Sequence, residues 1–243
     1  MRRFFSFGCS FTSYMWPTWA DIIGHQYPNR YYNFAEQGMG NIYIFSSLVY
    51  AIKKHNINKD DLVIICWSAF DREDRYMNNK WIQSYKWRVH DKVELWDERG
   101  SYIQSMTLMN SSIDILNLIG CENHFLTLRH VENIKYKDVT NMFPNVLSKV
   151  KNSFEHYYAP DHAIHKIRTD EVLRTFGKKD HHPLTSEHYY YVKSELDNCV
   201  MIDKDLIQQC DELVKIGSIK DNWQDLNFPI KMLKEHKAYE FVS

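Results

Sequence analysis

Residues 61–70, DLVIICWSAF, form the clearest β-strand pattern in the chain. A strand that is apolar at almost every position is typical of a parallel sheet covered by helices on both faces. Shorter apolar strands at 4–8 and 31–35 precede it, and helical patterns over 17–27 and 41–55 separate the three. The order strand, helix, strand, helix, strand favours right-handed βαβ units and therefore an α/β domain.

The rest of the chain extends this domain and interrupts it once. A helical pattern at 105–120 and a strand pattern at 122–131 continue the alternation. Residues 73–104 separate the third strand pattern from this helical pattern. They are charged and rich in tryptophan, and we interpret them as an insertion or cap over the sheet edge. We therefore expect one three-layer α/β/α sandwich with a mostly parallel central sheet over 1–200, followed by a helical extension, 201–243, packed on the same domain.

The composition excludes several classes of protein. The chain has 30 lysines and arginines against 31 aspartates and glutamates, a balance that argues against a nucleic-acid partner. Its five cysteines include no CxxC pair, so neither a disulfide framework nor a cysteine zinc site is expected. The apolar start is too short for a signal peptide, and no run reaches the length of a membrane span. We expect synthesis in the cytoplasm, no membrane partner and no cofactor; the sequence leaves the oligomeric state open.

Four polar segments follow predicted strands or precede predicted helices. They are GCSFT at 8–12, NFAEQGMGN at 33–41, CWSAFDRED at 66–74 and DHHP at 180–183. The last comes shortly before a helical pattern that Thr185 or Ser186 would cap. In open α/β sheets ligands bind at the carboxyl ends of the strands, so the four segments together predict a functional site at that edge.

In these segments the sequence resembles the SGNH/GDSL hydrolase superfamily, in a divergent branch that is frequent among phage and environmental bacterial proteins. The resemblance covers residues 4–75 and 178–192 and implies an SGNH/flavodoxin-like fold. It implies that Ser10 is the nucleophile, that Gly38 supplies an oxyanion N–H, and that Asp180 and His182 are the catalytic acid and base. If the chain is encoded by a phage, the protein is expected to be associated with the virion.

Three features depart from the family pattern, one of which is spacing: only His181 separates Asp180 from His182, where the family commonly has two residues. Cys9 stands where the family usually has aspartate beside the nucleophile. The third segment lacks the family's oxyanion asparagine, for which Asn41, Ser68 or Arg72 could substitute. Trp67, Ser68 and Arg72 are also the candidate substrate-binding residues; the alternatives are a core position for Trp67 and a solvated run of charges for Arg72.

The predicted chemistry follows from the residue types. A serine hydroxyl is a weak nucleophile that needs a base within hydrogen-bond reach. His182 would accept the proton and Asp180 would orient its ring, while the N–H groups of Ser10 and Gly38, with Asn41 as a further candidate, would stabilise the oxyanion. We expect a serine esterase or carbohydrate O-deacetylase that cleaves a small acyl ester through an acyl-enzyme intermediate.

Several alternatives stay open. Cys9 could be the nucleophile and His181 the base, and the missing asparagine favours an SGNH-like protein that binds a glycan or serves a structural role without hydrolysis. A metal-dependent hydrolase is a third hypothesis, although no HExxH motif accompanies the histidines near the end of the chain and no metal site is predicted. Those histidines are His162, His165, His181, His182 and His188.

Overall fold

A central parallel sheet organises the computed structural model, which describes residues 1–14, 16–83, 97–132, 134–157, 182–201, 204–205, 207–208 and 237–238. The strands are β1 Phe4–Phe7, β2 Tyr31–Asn33, β3 Leu62–Trp67, β4 Arg75–Met77, β5 Lys80–Ile82, β6 Glu122–Thr127 and β7 Lys237–Ala238. Five of them form one sheet in the order β6-β3-β1-β2-β7, and every pairing in it is parallel. The predicted parallel α/β class is confirmed.

Helices lie along the chain between these strands and after them. They are α1 Trp19–Gly24, α2 Asn41–His55, α3 Glu98–Ile119, α4 Lys137–Thr140, α5 Pro144–Lys149, α6 Phe154–Tyr157 and α7 Thr185–Glu195, with 3-10 turns at Ile134–Tyr136 and Asp197–Cys199. None of the described helices is long and apolar enough to cross a membrane.

The two faces of the sheet carry separate apolar clusters, as the alternation of side chains along a strand requires. Phe5, Phe7, Val63 and Ile65 belong to the cluster that includes buried residues of α2 and α3. The alternate strand residues pack with α1 and α7: Phe4, Leu62, Ile64, Cys66 and Leu126. This arrangement produces the three layers, with the sheet in the middle.

The interruption after β3 is shorter than predicted. β4 and β5 pair as an antiparallel hairpin whose turn residues, Asn78 and Asn79, both have positive φ. Residues 84–96 lie outside the described part of the chain. Helix α3 begins at Glu98, where the Asp97 carboxylate accepts the Arg99 N–H, so residues 98–104 belong to a core helix and not to an insertion.

Candidate active site

The turn that follows β1 occupies residues 8–13 at the carboxyl edge of the sheet. The Cys9 carbonyl accepts hydrogen bonds from the Thr12 N–H at 2.8 Å and the Ser13 N–H at 3.1 Å, which closes one helical turn directly after the strand. Gly8 is required there because a Cβ atom would lie 2.7 Å from Thr12 Cβ and 3.1 Å from the Cys66 carbonyl oxygen. Ser10 follows Cys9 in this tight turn and is itself buried, with Phe11 the first position of the turn that is only partly buried.

The two adjacent candidate nucleophiles point to different environments. Cys9 is fully buried in the cluster that covers the α1 and α7 face of the sheet, whereas Ser10 keeps 5% of its surface exposed. Within the described residues, neither the hydroxyl nor the N–H of Ser10 makes a recorded hydrogen bond. The environments favour Ser10 over Cys9 as the group that can meet a substrate.

The turn is fixed by contacts from the next two segments. The Thr12 carbonyl accepts a hydrogen bond from the Thr18 hydroxyl at 2.8 Å and another from the Asn33 side-chain amide at 3.1 Å. The Gly8 carbonyl accepts the Glu36 N–H at 3.3 Å. The loop after β2 therefore lies directly against the turn that carries Ser10.

Gly38 lies two residues beyond that contact, in the same loop. Its φ of 76° is in the left-handed region, which favours a glycine, whereas an added Cβ would meet only the flexible side chain of Gln83, which can move away. No acceptor for the Gly38 N–H is recorded in the part of the chain that the structure describes. Its role as an oxyanion donor stays a prediction.

Asn41 is buried, and its side chain joins the start of α2 to the segment after β3 and to α3. Its Oδ1 accepts the Ser68 N–H at 2.8 Å, and its Nδ2 donates to the Ser105 hydroxyl at 3.0 Å and to the Ser68 carbonyl at 3.3 Å. The side chain is thus fully used within the protein, which speaks against the predicted oxyanion role. The N-cap of α2 is Gly40, and Asn41 is the first helical residue.

The cap of α2 comes from Asp74, a residue that sequence reasoning missed. Its Oδ2 accepts the Gly40 N–H at 2.6 Å and the Tyr43 N–H at 3.3 Å. The side chain is 2% exposed, and this burial raises the pKa of the carboxyl group to about 6, although both hydrogen bonds and the charge of Arg72 act in the opposite direction. The sequence signal that could have indicated such a residue is that Gly40, the N-cap of α2, has no side chain, so a residue from elsewhere must accept the hydrogen bonds of the first N–H groups of the helix.

The predicted substrate-binding residues of the third segment turn inward. Trp67 and Ser68 are fully buried, so in this conformation neither side chain contacts a substrate, and Trp67 occupies the core position left open as its alternative. Arg72 is partly buried and not a solvated charge, since its guanidinium donates to the Ser68 hydroxyl at 3.1 Å and to the Met39 carbonyl at 3.4 Å. The segment holds the loop of residues 38–41.

His182 lies beside the turn that carries Ser10. Its ring stacks on Tyr14 with the centroids 3.8 Å apart and lies 5.5 Å from the Phe11 ring. The backbone next to it is fixed, because Trp16 Nε1 donates to the Pro183 carbonyl at 2.6 Å. Asp180 and His181 lie outside the described residues, so the predicted acid and the alternative base have no structural test.

The start of α7 adds a second hydrogen bond between the His182 segment and the segment that follows Ser10. The Thr185 hydroxyl, predicted as a cap, instead donates to the Pro17 carbonyl at 3.0 Å. The helix start is satisfied by Glu187, whose carboxylate accepts the Leu184 N–H at 2.6 Å. The Thr185 hydrogen bond therefore holds the start of α7, and with it the His182 backbone, close to the segment that follows Ser10.

The histidine cluster of the metal hypothesis is only partly described. His162, His165 and His181 lie outside the described residues. His188 is fully buried, with its ring 5.3 Å from that of Phe154 and 6.3 Å from that of Phe11. Among the described residues, the only group of three potential ligands close enough to share a metal ion is Glu122, His124 and Cys199, which does not include these histidines.

A cavity of about 510 Å³ opens at the same edge, between the loops that follow β3 and β6. Its lining includes Phe70, Tyr102 and Tyr136 together with Arg129 and several carboxylates. The Glu155 carboxylate pairs with Arg129 at 2.6 Å, and the Tyr136 hydroxyl donates to Glu98 at 2.9 Å. Since β3 is the neighbour of β1 in the sheet, the cavity lies one strand away from Ser10.

No protein-family model matches the chain, and no curated protein sequence does. Among solved structures, the crystal structure of the protein YxiM from Bacillus subtilis is similar over 81% of this chain and 56% of that chain, with 13% sequence identity and a TM-score of 0.48. The chain therefore spans a little more than half the length of that protein. At this distance the likeness leaves the activity undetermined.

Proposed function

We propose that the protein is a serine hydrolase that cleaves a small acyl ester, with Ser10 as the nucleophile and His182 as the general base. The observation that carries the proposal is the contact between the segment that follows the Ser10 turn and the His182 segment, made by the Trp16 hydrogen bond to Pro183 across 167 residues of sequence. A base must come within hydrogen-bond reach of a serine for it to act as a nucleophile. The ring stacking of His182 on Tyr14, four residues after Ser10, supports that proximity.

In the proposed reaction, Ser10 Oγ attacks the ester carbonyl while His182 accepts its proton. The negative charge that develops on the carbonyl oxygen would be stabilised by the backbone N–H groups of Ser10 and Gly38, which make no recorded hydrogen bond with another described residue. His182 then gives its proton to the leaving alcohol, and water hydrolyses the acyl-enzyme by the reverse steps. Asp180 would orient the ring of His182, as the family pattern implies.

The cavity at the same edge of the sheet, which is lined by none of the proposed catalytic residues, favours a polar alcohol as the leaving group if the substrate extends into it. Its combination of aromatic rings, an arginine and carboxylates offers both donors and acceptors, which suits the hydroxyl groups of a sugar. We therefore place an acylated glycan ahead of a lipid ester as the substrate class. A cavity of about 510 Å³ is also within the usual size range for small-molecule sites.

The test compares p-nitrophenyl acetate hydrolysis by the wild-type protein, Ser10→Ala and His182→Gln. Ser13→Ala is the matched control, because Ser13 lies in the same turn. We expect each site variant to lose about 1,000-fold or more in kcat/KM, as removal of a nucleophile or base does in serine hydrolases. Ser13→Ala should keep its rate, and EDTA should leave the wild-type rate unchanged. Equal rates for the wild type and Ser10→Ala would refute the proposal.

One observation favours a second candidate, a protein that binds a glycan without hydrolysing it. The donors that could replace the missing third-segment asparagine are already engaged: the Asn41 amide and the Ser68 N–H bind each other, and Arg72 holds Ser68 and Met39. Losing one oxyanion donor costs about 100- to 1,000-fold in rate. Covalent labelling of Ser10 by a fluorophosphonate probe favours the hydrolase, whereas glycan binding by a protein that the probe does not label favours the second candidate.

A further inference from the structure

Three potential metal ligands meet on the α1 and α7 side of the sheet, away from the candidate active site. Glu122 and His124 are two residues apart on β6 and therefore project from the same face of the strand. Cys199 reaches them from the 3-10 turn that follows α7. One ligand atom from each of the three lies within 4.8 Å of the other two. Glu122 is the first residue of β6, whereas Ser10 follows the last residue of β1. Because the strands are parallel, the two sites lie at opposite ends of the strands.

Two of the three distances between these atoms are close to those of a zinc site, and the third, between the Glu122 carboxylate and Cys199 Sγ, is within 4.8 Å. Zinc binds thiolate sulfur at about 2.3 Å, imidazole nitrogen at about 2.0–2.1 Å and carboxylate oxygen at about 2.0–2.2 Å in a tetrahedron. Such a tetrahedron places nitrogen and oxygen about 3.3 Å apart and nitrogen and sulfur about 3.6 Å apart. His124 Nε2 lies 3.1 Å from Glu122 Oε1 and 3.7 Å from Cys199 Sγ.

The surrounding residues hold the three ligands in place. The Arg2 guanidinium binds the other oxygen of the Glu122 carboxylate, Oε2, and so leaves Oε1 facing His124. The Gln26 side-chain amide donates to the Cys199 carbonyl at 2.8 Å and ties the turn to the end of α1. Hydrogen bonds of this kind orient the ligands of established metal sites and strengthen binding.

The group is also open enough for an ion to enter. The side chains of Glu122 and His124 are 46% and 27% exposed, and Cys199 is partly buried. Three protein ligands at an accessible position leave the fourth place of a tetrahedron for water. A carboxylate, an imidazole and a thiolate together suit zinc better than magnesium or calcium, which prefer oxygen ligands alone.

We propose that Glu122, His124 and Cys199 bind a zinc ion that links the edge strand β6 to the turn after α7. The proposal is independent of the hydrolase function. The ion would join two segments that are 75 residues apart in sequence and that otherwise meet here through a long contact between Cys199 and His124.

The test is a titration of the full-length, chelator-treated protein with Co²⁺, a spectroscopic substitute for zinc. We expect one equivalent of cobalt to produce a thiolate-to-cobalt charge-transfer band, which zinc then removes by competition. Cys199→Ser should abolish the band. His124→Gln should weaken cobalt binding by roughly 100-fold or more, because removing even a residue that only hydrogen-bonds to a metal ligand lowers metal affinity by about 10- to 100-fold. Cys121→Ser and His156→Gln are the matched controls and should bind cobalt as the wild type does.

Three results would overturn the proposal: no charge-transfer band in the folded wild type, a band that persists in Cys199→Ser, or equal affinity in His124→Gln and His156→Gln. Circular dichroism verifies the fold of each variant, and His124→Gln provides an answer even if Cys199→Ser does not fold. A thermal midpoint that zinc raises in the wild type but not in His124→Gln gives a second readout. None of these measurements depends on hydrolysis, so they remain informative if Ser10 proves inactive.

Discussion

Replacing Asp74 by asparagine should change how stability depends on pH. Asp74 is buried, and its Oδ2 accepts backbone hydrogen bonds from Gly40 and Tyr43. Oδ1 has no hydrogen-bond partner among the described residues. Burial raises the pKa of this carboxyl group from 3.8 to about 6 because the unpartnered oxygen has lost its water.

The size and sign of the effect follow from that shift. About two pKa units at 1.36 kcal/mol each correspond to about 3 kcal/mol. The folded protein holds the Asp74 proton more tightly than the unfolded chain does, so between about pH 4 and 6 the folded state binds more protons. The stabilisation from protonated Asp74 is complete below about pH 4 and is lost as the pH rises through about 6.

Urea unfolding of the wild type and Asp74→Asn, measured from pH 4 to 8, isolates this contribution because the other titrating groups cancel in the difference. Asparagine keeps an oxygen that can accept the two backbone hydrogen bonds but does not titrate. We expect the free energy of unfolding of Asp74→Asn, minus that of the wild type, to rise by about 3 kcal/mol between pH 4 and 7 and then to level off. A difference that changes by less than about 1 kcal/mol, or that falls with pH, would refute the reasoning.

Three further substitutions are tested by urea unfolding, two in the framework of the site and one, Asp61, just before β3 at the other end of the strands. Gly8→Ala should cost about 1–3 kcal/mol, because the added Cβ would overlap the Thr12 side chain; unchanged stability would show that the turn can relax. Asn41→Ala should cost about 2–4 kcal/mol, since it leaves buried backbone groups without partners, and a loss below about 1 kcal/mol would contradict this explanation. Asp61→Asn should cost about 3 kcal/mol at pH 7, because it removes the charge that pairs with Arg3 and leaves an acceptor for only one of the two hydrogen bonds from Arg3. Burial would raise the pKa of Asp61, but hydrogen bonds from Arg3 and a backbone N–H outweigh it and lower the pKa, so this loss should shrink as the pH falls below about 4; an equal loss at pH 3 would contradict it.

The strands and the longer helices could be predicted because each depends on a local pattern. β3 is apolar at all six positions and buried throughout, and α2 was predicted with the bounds that the structure has. The start of α3 was predicted seven residues late, because its first two turns carry charged and polar side chains. Its buried residues there, Ser101, Tyr102 and Ser105, are not all apolar, so hydrophobic periodicity does not reveal them.

The polar contacts within the candidate site could not be predicted, because they join residues that are far apart in sequence. Asn41 binds Ser105 across 64 residues, and Asp74 caps a helix that begins 33 residues before it. A sequence pattern shows Asn41 as a residue at a helix start and Asp74 as one of several charges. Only the packing of α2 and α3 on the sheet decides that both are buried and that both serve the backbone of their neighbours.

The departure of the third segment from the family pattern has a structural counterpart in these contacts. Ser68, Arg72 and Asp74 all bind the stretch from Met39 to Tyr43: Ser68 through Asn41, Arg72 through the Met39 carbonyl, and Asp74 through two backbone N–H groups. A segment that would donate directly to an oxyanion in the family instead fixes the loop that carries Gly38. A rigid loop lowers the cost of orienting its N–H when charge develops, so the segment can contribute to catalysis without touching the substrate. This reasoning requires that Arg72→Ala lower kcat more than it raises KM, because it would loosen a donor that acts in the transition state; a change in KM alone would instead indicate that Arg72 binds the substrate.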